Sequence, residues 1–584
     1  MLDLKISGGT VLDGSGSPGV TADVGIKDGR IVEVGRISAA ATRTVDATGA
    51  IVTPGFIDLH THYDGQAVWD SALAPSSWHG VTSVLMGNCG VGFAPLRPGD
   101  ADRLVRLMEG VEEIPGSVLY EGLDWKWETF ADFLSRLEQQ PHAINVATQI
   151  PHDPVRLYVM GDRAARQEEA TPDDIFAMQT IVRDALLAGA FGFSTGRSDT
   201  HRTSDGQDTP AARAANGELQ RIASVLRGLP YRILSGVSDF DMFAGPERFD
   251  PEFDVFEEMA RAAGRPMTIT TLERLGNPDQ WKLIQARVER ARAAGVDLRM
   301  QIAPRGVGIL NGLRTTMNVF VAKPSYRALM HLPHAELIAE LKKPEVRARI
   351  IAEPFLKMRE VDPAAPPQID QAIAMLDLIV HRMFELGDPP DYEPPAERSI
   401  GARAQARGVP YLEEIFDTLL RDDGEGLIYF PIFNYNAGNL DVTAQLFEHP
   451  AVHLGLGDGG AHVGTIADAA WTTFFLHHWA RDRARGRLSV EHAIKMITAD
   501  PAAFMGLADR GRIAPGMQAD LNVIDWAGLG LRRPRVVYDL PAGGRRVIQE
   551  ARGYLLTTVA GVPILERDQA IPVTPGRVLR AAAA

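Results

Sequence analysis

Residues 51–64, IVTPGFIDLHTHYD, set the reading of this chain. A short apolar run stops at Pro54 and Gly55, resumes at Phe56 and Ile57, and then delivers His60 and His62 two residues apart. Side chains at i and i+2 of a β-strand point to the same face. Two imidazoles on one face at the end of a buried strand can grip a single metal ion. A metal held by neutral nitrogen and carboxylate ligands makes hydroxide from water near neutral pH. An isolated H-x-H is a weak signal and usually incidental. The preceding V-T-P-G-F-I-D and the following Tyr63 and Asp64 make this one strong.

Outward from that stretch the texture changes in both directions. Residues 2–53 read as short strands with turns: LDLKISGGTVLDG alternates and breaks at glycines, and VGIKDGRIVEVG is a hairpin around Asp28 and Gly29. From about 55 to 305, strand-like runs alternate with helical periodicity. VTSVLMGNCG, HAINVATQIPH, GAFGFST, YRILSGVSD, RPMTITTLE and DLRMQIAPR are the strands. DRLVRLMEGVEEI is an amphipathic helix, and TPDDIFAMQTIVRDALLAGA opens with a Thr cap, a proline and two acids. This alternation predicts a (β/α) barrel or a doubly wound sheet. The strand pattern resumes at GLIYFPIFNYNAGNL and HLGLGDGGAHVG. Between them and the earlier strands, residues 309–425 are irregular, with Pro-rich patches DPAAPPQ and GDPPDYEPP. They read as a large insertion, a lid or an inert excursion. The C-terminal part is strand-rich again and is expected to complete the N-terminal β unit. The expected domains are 1–54 with 508–584 as one small β-sandwich, and 55–507 as a catalytic barrel.

Composition narrows the function. The chain has 584 residues, 45% hydrophobic and 23% charged, in the range of soluble globular proteins. A net charge of −15 argues against a nucleic-acid surface and against anionic membranes. The single cysteine, Cys89, excludes an intrachain disulfide and suits a reducing cytoplasm. No signal peptide and no apolar run of about 18 residues is visible, so a cytoplasmic protein is expected.

The other candidate residues sit at strand ends, where a parallel barrel carries its active site. Asp458, in VHLGLGDGGAH, can ligate metal and accept a proton from bound water; the bland alternative is a turn-capping Asp. Cys89 closes the next strand after the His pair, and a thiolate is a good zinc ligand, although a lone Cys is usually a small core hydrophobe. His152, His201, His462 and Asp64 are possible further site residues, each equally readable as structural. His79 reads as structural, and Ser194 opens no nucleophile elbow. Arg305 is a candidate partner for a substrate carboxylate, because Arg pairs with that group through two parallel bonds.

The motifs PGFIDLHTHYD, GVTSVLMGNCGVGFAP, PHDPVRLYVMG, AGAFGFSTG, GLGDGGAHVG and GRIAPGMQADLNVID run in order from residue 54 to 525. Together they resemble the amidohydrolase superfamily and, within it, the D-aminoacylase (N-acyl-D-amino-acid deacylase) branch. The resemblance implies a metal-dependent (β/α)8 barrel with a small β-sandwich built from both chain ends. It implies one or two divalent ions, most simply Zn2+, held by His60, His62, Asp458 and the bridging Cys89. It implies a small-molecule substrate, an N-acyl-amino acid, cleaved by a metal-activated water with Asp458 as proton shuttle. A homo-oligomer is expected. The chain departs from the branch at strands five and six, which usually end in histidines. No histidine lies between His201 and His331. Asp239, Glu273, His152 and His201 are the candidate substitutes, and the departure leaves open a cyclic amide, a lactone or a carbon–carbon bond as the one broken.

Overall fold

Each of the strand-like runs between residues 55 and 305 forms a strand in the computed structural model, which describes residues 1–240, 245–362, 365 and 369–582. We label them β1 (Phe56–Asp58), β2 (Val81–Met86), β3 (Asn145–Thr148, resumed at Ile150–Pro151), β4 (Gly192–Arg197), β5 (Ile233–Ser238), β6 (Met267–Thr270) and β7 (Leu298–Ile302), with β8 (Val452–Leu454) following the insertion. Pairing is parallel throughout. It joins β1 to β2 and β2 to β3, and it runs from Ile150–Pro151 through β4, β5, β6 and β7 to β8. Only Gln149 separates the two parts of β3, and a parallel bridge from Thr61 to Gly459 joins the extensions of β1 and β8. The order of neighbours therefore returns to its start. Every residue of β2 and β6 is buried, as parallel strands covered on both faces require.

Helices fill the connections for reasons visible in the sequence. Pro172–Ala188 starts with a capping box, in which Thr171 and Asp174 satisfy each other's backbone amides, and carries Pro172 in its first turn. It stops at Gly189 in the left-handed region. Ala101–Glu112 buries Leu104, Val105, Leu107, Met108 and Val111 on one face, and its last residue, Glu112, is buried with them.

Both chain ends meet in one nine-stranded sheet. Ile51–Pro54 lies between Leu2–Val11 and Leu521–Ile524, and Tyr554–Val559 and Val562–Glu566 extend the sheet. The opening stretch thus begins in this sheet and crosses into β1 at Gly55. A Cβ on Gly55 would lie 2.1 Å from Thr82 Oγ1, so no other residue fits the crossing without displacing β2.

The insertion has a core of its own, built from Phe320, Tyr326, Leu337, Ile350, Ile400, Ile415 and Phe416 among others. Its base is tied to the loop after β8: Leu310 and Thr316 donate backbone bonds to Thr465 and Gly464. Here one expectation fails. GLIYFPIFNYNAGNL does not join the parallel strands; Leu427–Phe433 pairs antiparallel with Val307–Gly312 in a small separate sheet. A seven-residue apolar run carries no label for its partner, and the strand beside it runs the other way. Most of DPAAPPQ and the last two alanines of the Ala-rich terminus lie outside the described residues. No helix among the described residues is long and apolar enough to cross a membrane.

Candidate metal centre

β1 runs out at Asp58, and the chain stays extended to His62 because Thr61 bonds to Leu85 on one side and bridges Gly459 on the other. His60 and His62 accordingly face the same way, with ring centroids 5.3 Å apart. Asp58 supports them from behind. Its Oδ1 accepts from the His60 amide at 3.0 Å and its Oδ2 from Trp471 Nε1 at 2.8 Å, and burial raises its pKa to about 7.

Cys89 and Asp458 close on the pair. Cys89 Sγ lies 3.3 Å from His60 Nε2. Asp458 Oδ1 lies 3.5 Å from His60 Nε2 and 3.8 Å from His62 Nε2. The ligand atoms of His60, His62 and Cys89 all lie within 4.8 Å of one another. A tetrahedron of metal bonds of ~2.0–2.3 Å has edges of ~3.3–3.8 Å, and the Cys89–His60, Asp458–His60 and Asp458–His62 separations fall in that range. The electrostatics agree. Burial, with the charges of Glu112, Asp458 and Asp64, pushes the Cys89 thiol well above its usual pKa. Burial and the neighbouring His60, His462 and His201 hold His62 well below its own, in the neutral form that ligates. Burial likewise raises Asp64 to about 7 and Glu112 to about 8. A pocket that crowds acidic donors and keeps His62 neutral suits a cation.

The backbone is bent to bring these groups together. Cys89, Asp458 and His462 all have positive φ, at 55°, 45° and 46°. Non-glycine residues held there cost about 1–3 kcal/mol each and cluster at functional sites. Gly90 makes the Cys89 turn possible: its φ is 78°, and a Cβ would lie 2.6 Å from the Gly196 amide of β4.

Other expected residues divide. The His201 ring lies in electrostatic reach of His60, Asp458, His462 and Asp239, and burial lowers its pKa to about 4. His462 stands beside Glu112 and Glu113; burial alone would lower its pKa, but the Glu113 hydrogen bond and nearby acids raise it to about 10. Asp64 accepts from the Gly87 amide at 3.2 Å, behind the cluster. His79 bonds to Thr473 and the Gln549 carbonyl, and Ser194 to the Gly87 carbonyl, both as structural residues.

Two expectations are corrected. His152 does not face the cluster: one ring nitrogen bonds Thr195 Oγ1 at 3.0 Å and the other Glu218 Oε1 at 3.1 Å. It opens the helix His152–Met160, whose first turn aims it at the neighbouring helix. Arg305 is not available to a substrate carboxylate. It is 2% exposed, paired with the buried Asp468 and stacked 4.2 Å above the Tyr392 ring. At strand ends five and six, Asp239 pairs with Arg274 at 3.0 Å and accepts from Ser198, while Glu273 is bound to the Asn436 amide. Neither belongs to the donor group of His60, His62 and Cys89. The His152 environment yields a test. Glu218→Ala leaves Arg156 and His152 buried without their carboxylate, and is expected to cost about 3–5 kcal/mol of stability. Denaturant unfolding should record that loss, with bound metal per folded chain unchanged.

Two residues beside the centre carry no sequence signal. Gln301 of β7 accepts from His60 Nδ1 at 2.8 Å, and Glu112 Oε1 lies 3.2 Å from His62 Nδ1. Each approaches from far along the chain, with no motif around it.

The sequence matches the amidohydrolase family over residues 43–407 and 429–565. A D-aminoacylase from Alcaligenes xylosoxydans xylosoxydans is 29% identical over 591 residues, covering 100% of this chain and 98% of that protein. A solved D-aminoacylase structure, from work on its binuclear metal centre, is 25% identical, covers 99% of this chain and all of that one, and superposes with a TM-score of 0.63. The N-acyl-D-glutamate deacylase of Bordetella bronchiseptica, solved with zinc and a phosphonate mimic of the tetrahedral intermediate, shares the fold at 24% identity and a TM-score of 0.64, covering 99% of this chain and all of that one. With the family matched across most of its length, the chain belongs to the amidohydrolases and is similar from end to end to their D-aminoacylase branch.

Proposed function

We propose that this chain is a metal-dependent N-acyl-D-amino-acid deacylase that uses one zinc ion, held by His60, His62, Cys89 and Asp458. The observation that carries the reading is that the His60, His62 and Cys89 donors lie within 4.8 Å of one another, with Asp458 Oδ1 3.5 Å and 3.8 Å from the two Nε2 atoms. The likeness to a D-aminoacylase across both chains supports the substrate class. We read the returning order of β1 to β8 as a (β/α)8 barrel over residues 55–507, and the terminal sheet over 1–54 and 508–584 as the second domain.

When bound, the ion polarises the acyl carbonyl and acidifies a water toward neutral pH. The protein's own groups do the rest. His60 and His62 present Nε2, and Cys89 presents its thiolate. Asp458 is more exposed than the imidazoles, its side chain 18% accessible against 4% for His60 and 1% for His62. It therefore faces the approach of substrate. Its carboxylate takes the proton of the attacking water and returns it to the amide nitrogen as the C–N bond breaks. The products are a carboxylic acid and a free amino acid.

A panel of N-acyl-D- and N-acyl-L-amino acids, assayed with elemental analysis of the same protein, tests this. The expected result is release of the D-amino acid and one zinc per chain. Hydrolysis of a hydantoin or lactone with no cleavage of any linear N-acyl substrate would overturn it. Cys89→Ala is expected to lower zinc occupancy measurably, because it removes one of four donors; full occupancy would remove the thiol from the ligand set.

A further inference from the structure

Glu112 is a buried carboxylate beside the ring of a ligand histidine, and the proposed reaction gives it no part. It is 2% exposed, and its Oε1 lies 3.2 Å from His62 Nδ1. Neither of those two atoms makes a hydrogen bond, the contact between them being close but not aligned as one, although both are fully shielded from solvent. Buried polar groups in folded proteins are paired, so each is the other's natural partner. The far side of Glu112 is held as well. Its Oε2 lies 3.8 Å from His462 Nε2, and His462 Nδ1 lies 3.5 Å from Glu113 Oε2. Thr465 Oγ1 donates to that same Glu113 oxygen at 2.7 Å. The backbone joins the two segments too, since the His462 amide donates to the Glu112 carbonyl. Glu113 and His462 both sit in the left-handed region, at φ 53° and 46°, where the chain turns to make this contact.

We propose that Glu112 is the positioning residue of His62, and that His462 with Glu113 holds Glu112 in place; this rests on the reading of the cluster as a metal centre. The parallel with His60 is close. His60 Nδ1 donates to Gln301 Oε1, which leaves Nε2 as the ligand atom. Glu112, with its Oε1 3.2 Å from His62 Nδ1, is placed to do the same for His62 with a carboxylate in place of an amide. A ring whose Nδ1–H is taken by an oxygen is fixed in tautomer and orientation, and a carboxylate partner also makes the ligand more basic. The two ligand histidines are thus met by different elements, His60 by a ring strand and His62 by the end of the helix Ala101–Glu112.

The test is zinc affinity, measured by competition with a chromophoric chelator on the full chain. Glu112→Ala is expected to weaken zinc binding by about 10–100-fold, with the unfolding midpoint of the stripped protein close to that of stripped wild type. Glu112→Gln keeps an acceptor oxygen and should recover most of the loss, which a merely space-filling role would not predict to depend on that oxygen. His462→Ala leaves Glu112 and His62 in place and should show a smaller loss of the same kind. It also keeps the test open if Glu112→Ala does not fold. Wild-type affinity in Glu112→Ala, no recovery in Glu112→Gln, or wild-type affinity in His462→Ala would each overturn the corresponding link. If wild type binds no zinc, the metal reading and this proposal fall together. If wild type binds zinc but cleaves no N-acyl-amino acid, the deacylase reading falls and the affinity comparison still decides Glu112.

Discussion

Asp458→Asn is expected to lower kcat for N-acyl-amino-acid hydrolysis by about 10²–10⁴-fold, with KM and bound zinc close to wild type. Asn keeps the Oδ1 atom that lies 3.5 Å from His60 Nε2 and 3.8 Å from His62 Nε2, so one donor oxygen remains. What it loses is the capacity to accept a proton. Asp458 is the group whose exposure lets it meet both an incoming water and a leaving nitrogen; the imidazoles are buried and committed to the ion. Steady-state kinetics and elemental analysis on the same preparations separate the roles. Wild-type kcat in the variant would remove Asp458 from the proton path. Loss of zinc together with activity would make it a ligand and nothing more.

Stripping the ion is the second large effect. Chelator-treated protein is expected to fall to the rate of uncatalysed hydrolysis and to recover when zinc is restored. Stability should move with it. A ligand that binds only the folded state adds about 4 kcal/mol when its free concentration exceeds Kd by about 1,000-fold. The stripped chain should therefore unfold at lower temperature than the loaded one. The gap should be nearly absent in His60→Ala/His62→Ala, which lacks both nitrogen donors. Activity that survives exhaustive chelation, with metal verified absent, would falsify the metal-dependent reading.

Much of this centre was legible because its pieces are local. His60 and His62 share a face by the two-residue period of an extended chain, and Cys89 follows β2 by three residues, in a turn with its φ at 55°. Asp458 announced itself through the glycines that let an apolar run end in a carboxylate. The capping box at Thr171 and the left-handed Gly189 are equally local, and both appear as expected. His152 was read by the same logic and does not face the cluster. It also ends a strand, but the chain turns into a helix at that residue, and the ring is taken up by Thr195 and Glu218. A strand end gives a position, not a direction.

Arg305 is a sharper case. The terminus of β7 is a reasonable place for a substrate-binding guanidinium, and nothing near it in sequence argues otherwise. Asp468, which takes its charge, lies 163 residues away. Glu112 and Gln301 went unseen for the same reason: one reaches His62 from a helix end, the other reaches His60 across 241 residues. Likewise, Leu427–Phe433 had the composition of a ring strand and found an antiparallel partner instead.

The amino-acid sequence by itself singled out side chains that the structure brings together, His60, His62, Cys89 and Asp458, and the alternation that brings parallel strands together. Those properties follow from short periods and turn residues, and local backbone geometry enforces them. Only the tertiary structure decided which charges are spent on one another and which stay free. It put Arg305 on Asp468, Arg274 on Asp239 and Glu112 against His62. A buried charge takes whatever partner packing delivers to it, and packing is settled by contacts between residues far apart in the chain.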